Sequence, residues 1–327
     1  MNFNIRNLII RLIDIFYREP NLIIKYYRQS CSKHTDNNDR YIFMVDGRVG
    51  HGGMFDRLKG LISVYAVAQA QHKDFRIHWT YPFCLEKYLE PNSYDWRIKD
   101  NDIVHHFPQS RPLFLYGECY APVRLMKNRN RESHFYYGYN SLTEINARFG
   151  KKYDWGELYR ELFKPTASLQ QHLDFYQKEI GTSYVAVHTR FLNLLGDRNE
   201  TAINPVLPHN EQLQLMQKAT RAIRQIIDEH KTENFPSLRV MLASDSMIFI
   251  QYATKQIPSL YIVPGAVKHI DTAGKTDDSE NIKLFTDYYL LAHAQKVYSL
   301  WHEGMWKSAF PEYAAKIGGV EFIRRTF

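Results

Sequence analysis

Cysteine is scarce here: Cys31, Cys84 and Cys119 are the only three in 327 residues. No CxxC pair or Cys/His cluster exists, which excludes a disulfide framework and a zinc finger and leads us to expect a reducing compartment. Long apolar runs are missing too. No stretch approaches the ~20 apolar residues that a membrane-spanning helix requires. The apolar residues near the N-terminus are interrupted by Arg6, Arg11 and Asp14, so the segment does not read as a signal peptide. The sequence also lacks low-complexity tracts, internal repeats and a G-x-G-x-x-G fingerprint.

What remains is the composition of a folded protein, with 44% apolar and 24% charged residues and a length suited to two domains. Aromatic side chains are plentiful, 23 Tyr and 19 Phe. The net charge of +7 is unevenly placed. Residues 1–34 hold Arg6, Arg11, Arg18, Lys25, Arg28 and Lys33 against Asp14 and Glu19, an excess of four. A nucleic-acid binder concentrates basic residues on a folded surface, interleaved with aromatics. No such surface is spelled here, and no nucleic-acid partner is expected. In the same segment Ile5, Leu8, Ile9, Leu12 and Phe16 share one helical face, opposite Asn7, Arg11, Asp14 and Arg18. Two readings stay open: a helix lying on an anionic membrane surface, and a terminal helix or arm of the folded body.

Apolar runs short enough for buried parallel strands fall at Tyr41–Val45, Phe75–Trp79, Ile103–Phe107 and Leu113–Tyr116 in the first half. In the second half they fall at Tyr184–Thr189, Arg239–Ser244, Tyr261–Val263 and Lys296–Ser299. Helical periodicity lies between them, clearest over Leu213–His230. Ser141-Leu-Thr-Glu144 has the spelling of a capping box. Alternation of this kind predicts parallel sheets covered on both faces. The predicted division is a basic segment 1–34 and domains 35–165 and 166–327. Ligands of such sheets collect at the carboxyl ends of strands, and the polar signals lie there.

Four signals stand out. After the first strand comes Asp46-Gly-Arg-Val-Gly-His-Gly-Gly53, with Arg57 one turn into the following helix. Gly50, Gly52 and Gly53 leave N–H groups open to phosphate or sugar oxygens, or simply relieve a tight βα turn. Val185-Ala-Val-His188-Thr-Arg190 ends a strand in His-x-Arg, with both side chains on one face. Arg190 offers a planar fork for a diphosphate, and His188 offers a ring nitrogen. Val240-Met-Leu-Ala-Ser244-Asp245 ends a strand in a carboxylate that suits the guanine edge, while Ser244 or Asp245 equally suits a helix N-cap. The run from Tyr298 to Phe310 sets Ser308 beside a helix start.

Taken together, these motifs resemble the GT-B fucosyltransferases, the group of core α-1,6-, nodulation-type and protein O-fucosyltransferases. The matching parts are the His188-Thr-Arg190 strand end, Leu242-Ala-Ser244-Asp245, and a passage written here as Asp287-Tyr-Tyr-Leu-Leu291, Ser308-Ala-Phe310 and Ala314-Ala-Lys-Ile-Gly-Gly319. The resemblance implies an α/β fold of GT-B type, two Rossmann-like domains facing each other across a cleft. The first domain would be the acceptor side and the second the nucleotide-sugar side. It implies metal-independent, inverting transfer of fucose from GDP-fucose to a glycan or lipid-linked glycan, with no cofactor, in the cytoplasm or on the inner face of the membrane. Arg190 would hold the β-phosphate, His188, Ser244 and Asp245 the guanosine side, and Ser308 and Phe310 the donor. Gly52, Gly53 and Arg57 would meet the sugar from the other domain. Relatives often carry a further Arg and an acidic residue soon after His-x-Arg, where this chain has Phe191 and Asn193. The base is therefore sought at Asp197 first, then Glu200, then Asp46.

Two other functions are weighed. Asp100-Asn101-Asp102 spells the D-x-D of a metal-dependent GT-A transferase, although it precedes an apolar run and turn chemistry explains it. The missing acidic residue also suits a non-catalytic nucleotide- or carbohydrate-binding module of a polysaccharide assembly system.

Overall fold

The computed structural model describes residues 5–28, 39–116, 120–197, 205–230, 238–265 and 277–327, with side chains from Leu8 onward. Glu200, Cys31 and Cys119 lie outside these residues. The chain divides into two compact units, one running to Lys164 and the other starting at Pro165.

The first unit opens with α1 (Ile5–Ile13), a π turn over Asp14–Arg18, and α2 (Glu19–Tyr26). Next come β1 (Tyr41–Val45), α3 (Met54–Ala70), β2 (Phe75–Trp79), β3 (Leu89–Pro91) and β4 (Ser110–Phe114). The unit continues with α4 (Ala121–Leu125), β5 (Glu132–Tyr136), α5 (Leu142–Phe149) and α6 (Trp155–Leu162). The chain leaves it on β6 (Phe163–Pro165), which pairs with β3. The main sheet has the order β2-β1-β5-β4, every pair parallel.

Side-chain alternation sets the two faces of this sheet. Tyr41, Phe43 and Val45 are buried on the face that packs against α3, a helix buried along nearly its whole length. Its close approach needs glycine, because a Cβ on Gly60 would lie 2.8 Å from the Gly138 Cα. On the opposite face Ile42, Met44 and Tyr136 pack with Leu22, Tyr27, Ile103 and Phe114. Two of the sequence expectations shift here. Ile103–Phe107 is not a strand, and the next strand lies at Ser110–Phe114 rather than Leu113–Tyr116.

The N-terminal segment is a folded part of this unit, attached in an unexpected orientation. Its carboxylates point inward: Glu19 accepts from the Phe114 N–H (2.9 Å) and pairs with Arg124 (2.5 Å), and Asp14 pairs with Arg18 (2.6 Å). The Tyr120 hydroxyl also donates to Asp14, whose burial raises its pKa to about 6 despite the Arg18 charge. The apolar side faces solvent, with Ile9 50%, Phe16 73% and Tyr17 66% exposed.

The second unit runs α7 (Ala167–Ile180), β7 (Tyr184–Thr189), α8 (His209–His230), β8 (Arg239–Ser244), α9 (Met247–Gln256) and β9 (Leu260–Tyr261). It finishes with α10 (Asp278–His293), β10 (Lys296–Trp301), α11 (Phe310–Gly318) and β11 (Glu321–Thr326). All five strands are parallel, in the order β11-β10-β7-β8-β9. This is a Rossmann-like order whose switch point lies between β7 and β10. Val185, Val187, Val240 and Leu242 pack with Leu215, Ala219, Ile223 and Ile226 of α8 and Phe249 of α9. Tyr184, Ala186 and His188 look the other way, and the Tyr184 hydroxyl donates to the Leu290 carbonyl of α10 (2.6 Å).

Candidate functional site

His188 sits one residue before the end of β7, opposite Ser299 of β10, so it lies at the switch point of the second unit. Its ring stacks on Phe310, the first residue of α11 (centroids 5.4 Å, planes 26° apart), and Tyr288 meets Phe310 from another side (5.5 Å). The imidazole is 7% exposed, and its Nδ1 has no hydrogen-bond partner among the described residues. Burial, reinforced by the Arg190 charge, lowers its pKa from 6.5 to about 3. A neutral ring with a buried, unsatisfied nitrogen costs roughly 1–3 kcal/mol until a partner arrives.

Arg190 follows directly, half-buried, its carbonyl accepting from the Trp306 N–H (3.2 Å). Ser308 is buried ahead of α11. Its Oγ accepts from the Phe310 N–H (3.2 Å) and its carbonyl from Arg324 (3.3 Å). This leaves the Ser308 hydroxyl proton available to an anion at a helix N-terminus. His188, Arg190, Ser308 and Phe310, expected together from the sequence, do gather at this one place.

The other residues expected in the donor site have internal work. Asp245 accepts from the Phe191 N–H on one oxygen (2.8 Å) and from the Leu192 N–H on the other (2.9 Å). Leu192 has φ +54°, a costly left-handed conformation for a branched side chain. Asp245 thus clamps the turn of the chain after Arg190. Ser244 accepts from the Thr189 hydroxyl (2.9 Å) and from the Ser246 N–H (3.2 Å), pinning β7 to β8. Neither residue caps the next helix. Ser246 does, accepting from the Phe249 N–H (3.1 Å).

Asp197, expected as the base, is the second cap of α9. One carboxylate oxygen accepts from the Ser246 hydroxyl (2.8 Å) and the Ile248 N–H (3.0 Å). Arg57 is likewise corrected. It is 1% exposed, donates to the Gly52 carbonyl (2.9 Å) and the Tyr81 carbonyl (2.7 Å), and lies over Trp79. A guanidinium so enclosed shapes the Gly52 turn and does not reach a sugar. Gly52 has φ +70°, and Gly53 precedes α3 with its N–H groups at the helix start.

In the first unit the switch point lies between β1 and β5, and Asp46 stands there. Its Oδ2 accepts from the Tyr136 hydroxyl (3.0 Å) and its Oδ1 from the Arg48 N–H (3.0 Å). Burial pushes its pKa up, but His51 and Arg48 outweigh that and hold it below the ordinary carboxylate value. Asp100 and Asp102 lie on an exposed single turn, with Asp100 beside the His78 imidazole (2.8 Å). Among the described residues no group of three or more metal-ligating side chains is found.

Sequence reasoning missed β5 altogether, and with it Glu132, His134 and Tyr136. Alternation of the three polar residues was the available signal.

No family model matches the chain, and no curated protein matches it in sequence. Solved structures do. One of the NodZ α-1,6-fucosyltransferase co-crystallised with GDP superposes with a TM-score of 0.57 at 17% identity, covering 85% of this chain and 92% of the other. The same enzyme soaked with GDP-fucose gives 0.56 at 17% identity over 85% and 92%. Fucosyltransferase NodZ from Bradyrhizobium gives 0.55 at 17% identity over 84% and 92%. The chain, with a parallel Rossmann-like sheet in each unit, thus shares the GT-B fold of these solved structures.

Proposed function

We propose that the chain is a metal-independent, inverting glycosyltransferase that takes fucose from GDP-fucose. The observation that carries this is the switch point of the second unit, where the unsatisfied His188 nitrogen, Arg190, Ser308 and the start of α11 converge on the place where nucleotides bind in such folds. The NodZ structures, solved with GDP and GDP-fucose, support the choice of nucleotide.

In this reading His188 Nδ1 accepts a ribose hydroxyl or, in its other tautomer, donates to phosphate. Arg190 and the N-terminus of α11 receive the charge that develops on GDP as the anomeric C–O bond breaks. A hydroxyl of the acceptor, a glycan or lipid-linked glycan, attacks the anomeric carbon on the face opposite the departing GDP, and its proton leaves to a carboxylate. Asp197, the first candidate for that role, keeps its second carboxylate oxygen without a hydrogen-bond partner among the described residues. A guanidinium supplies the charge that a divalent cation provides in GT-A enzymes.

The outward apolar face of the N-terminal helix, with Arg11 and Lys25 also exposed, supports a location on the cytoplasmic surface of an anionic membrane. Among the described residues no helix is long and apolar enough to cross one. The competing non-catalytic reading draws on the missing acidic residue soon after His188-Thr-Arg190.

A thermal-shift panel of GDP, UDP, ADP and CDP tests the nucleotide. Saturation at 100 Kd adds about 2.7 kcal/mol, so GDP should raise the melting temperature most, and Arg190→Ala should erase the rise. Release of GDP from GDP-fucose with candidate glycan acceptors, in the presence of EDTA, then separates transferase from binding module. Equal shifts for all four nucleotides, or binding without release, overturns the proposal.

A further inference from the structure

The loop that joins β10 to α11 comes against the residue that follows β7, and it is tied down along its length. The Met305 N–H donates to the His302 carbonyl (3.0 Å), and the Trp301 indole donates to the Met305 carbonyl (2.9 Å). Gly304 allows the bend with φ +88°. Met305 and Ser308 are buried and anchor the loop. Between these anchors lies Trp306. Its N–H donates to the Arg190 carbonyl (3.2 Å), and its carbonyl accepts from the Ser308 N–H (2.9 Å).

Both polar backbone groups of Trp306 are thus fixed, yet its side chain is left outside. Trp79, Trp96 and Trp155 are buried, and Trp301 is half-buried with its ring under the Lys307 ammonium (4.2 Å). Trp306 is 53% exposed. A lone apolar side chain at a surface is ordinary. This one stands on a fixed backbone, bonded to the main chain of Arg190 and two residues before Ser308. Chains joined by a backbone hydrogen bond lie roughly 5 Å apart, so the indole and the guanidinium start side by side. Lys307 is turned back over Trp301 and leaves Trp306 as the exposed side chain next to Arg190.

We propose that the Trp306 indole is the wall of the donor site that meets the transferred sugar, and that it selects a 6-deoxyhexose over the parent hexose. The inference deepens the proposed transferase reading and rests on Arg190 gripping the β-phosphate. The sugar is bonded directly to that phosphate, so its ring begins within about one side-chain length of the guanidinium. A pyranose presents hydroxyls, which need polar partners, and C–H groups, which do not. In a 6-deoxyhexose the edge at C6 is a methyl group. Packing it on an indole removes apolar surface of both from water. In the parent hexose that carbon carries a hydroxyl, which loses water against an apolar ring without gaining a hydrogen bond.

The tied backbone gives the selection its edge. A tryptophan on a loose loop swings aside for a larger sugar, whereas the bonds to Arg190 and Ser308 and the buried Met305 hold this one in place. With only two side-chain torsions to order, the indole contributes contact area at a low entropic cost. Trp306 acts on the sugar and not on the nucleotide, so GDP, which lacks the sugar, does not feel it.

Calorimetric affinities for GDP, GDP-fucose and GDP-L-galactose, the last being GDP-fucose with a hydroxyl on C6, test this in the full chain. The wild type should bind GDP-fucose roughly tenfold more tightly than GDP-L-galactose, the scale on which apolar contacts tell such groups apart. Trp306→Ala should lose roughly tenfold in affinity for GDP-fucose, erase the preference and keep the wild-type affinity for GDP. Trp306→Phe should recover part of the loss. Tryptophan fluorescence gives a second readout, because Trp306 is the most exposed of the five tryptophans. Its emission should move to shorter wavelength with GDP-fucose and stay in place with GDP, and the shift should vanish in Trp306→Phe. Equal wild-type affinities for the two sugar nucleotides overturn the selection. A Trp306→Ala variant that binds GDP-fucose like the wild type, or loses GDP to the same degree, overturns the wall while GDP binding by the wild type still stands. A wild type that binds no guanine nucleotide rejects the transferase reading itself, and the inference falls with it.

Discussion

Replacing Asp245 distinguishes a clamp from a base-reading carboxylate. Its two oxygens hold the Phe191 and Leu192 N–H groups at 2.8 and 2.9 Å. Hydrogen bonds to a charged group contribute about 1.5–3 kcal/mol each. Asp245→Ala removes both and should cost about 3–5 kcal/mol, less than the simple sum because the turn relaxes. Asp245→Asn keeps one acceptor but sets an amide donor against the other N–H, for about 2 kcal/mol. In a unit of this size each kcal/mol moves the melting temperature about 2–4 °C, so Asp245→Asn should melt roughly 4–8 °C early. Once the positive-φ turn at Leu192 relaxes, Arg190 loses its fixed place, and affinities for all diphosphates should drop together, GDP and ADP alike. Differential scanning calorimetry and titration calorimetry read both effects. A variant that melts like the wild type yet loses only its preference for guanine refutes the clamp and restores the guanine-edge reading.

Two further outcomes are expected. His188 titrates near 6.5 in the unfolded chain but at about 3 when folded. The unfolded state therefore binds more protons between these values, and stability drops as pH falls through that window. His188→Phe should flatten this share of the slope, seen as a smaller gap in melting temperature between about pH 7 and about pH 4.5; an unchanged gap contradicts the buried neutral ring. Replacing Ile9, Leu12 and Phe16 together by Ser should leave the melt unaltered, since all three side chains are exposed. Co-sedimentation with anionic vesicles should be lost in this triple variant, and retained binding rejects the membrane face.

Much of the second unit was legible because its signals are local. β7 and β8 are apolar runs that end in polar residues, and their bounds, Tyr184–Thr189 and Arg239–Ser244, match the reading from sequence. The polar residues at those ends were placed for the same reason. What the carboxylates do was not legible: Asp197 and Asp245 are distant in sequence from the N–H groups they hold, and a strand ending in Asp looks the same whether it faces a ligand or a backbone. In the first unit β5 was missed because Glu-Ser-His reads as a loop. Those polar side chains are tolerated in a central strand only because Arg40 and Tyr27, 92 and 107 residues away, satisfy them. β11 was missed for a simpler reason. Glu321–Thr326 is a half-exposed edge strand with no apolar run to announce it.

The N-terminal helix shows how periodicity finds a face but not its orientation. The apolar stripe is where the sequence spells it, yet Asp14 and Glu19, with Leu22 and Tyr27 further along, make the contacts with the unit. Glu19, with partners in β4 and α4, and Asp14, held by Arg18 and Tyr120, outweigh what one apolar stripe offers, and the stripe stays exposed.

The central claim is that Arg190 grips the β-phosphate of a guanine nucleotide. Calorimetric affinities for GDP and GMP, in the wild type and in Arg190→Ala, measure that contact alone. The wild type should prefer GDP by about 10- to 100-fold, the 1.5–3 kcal/mol of a charged hydrogen bond, and Arg190→Ala should lose most of that preference. A GDP-to-GMP ratio that survives the substitution contradicts the account.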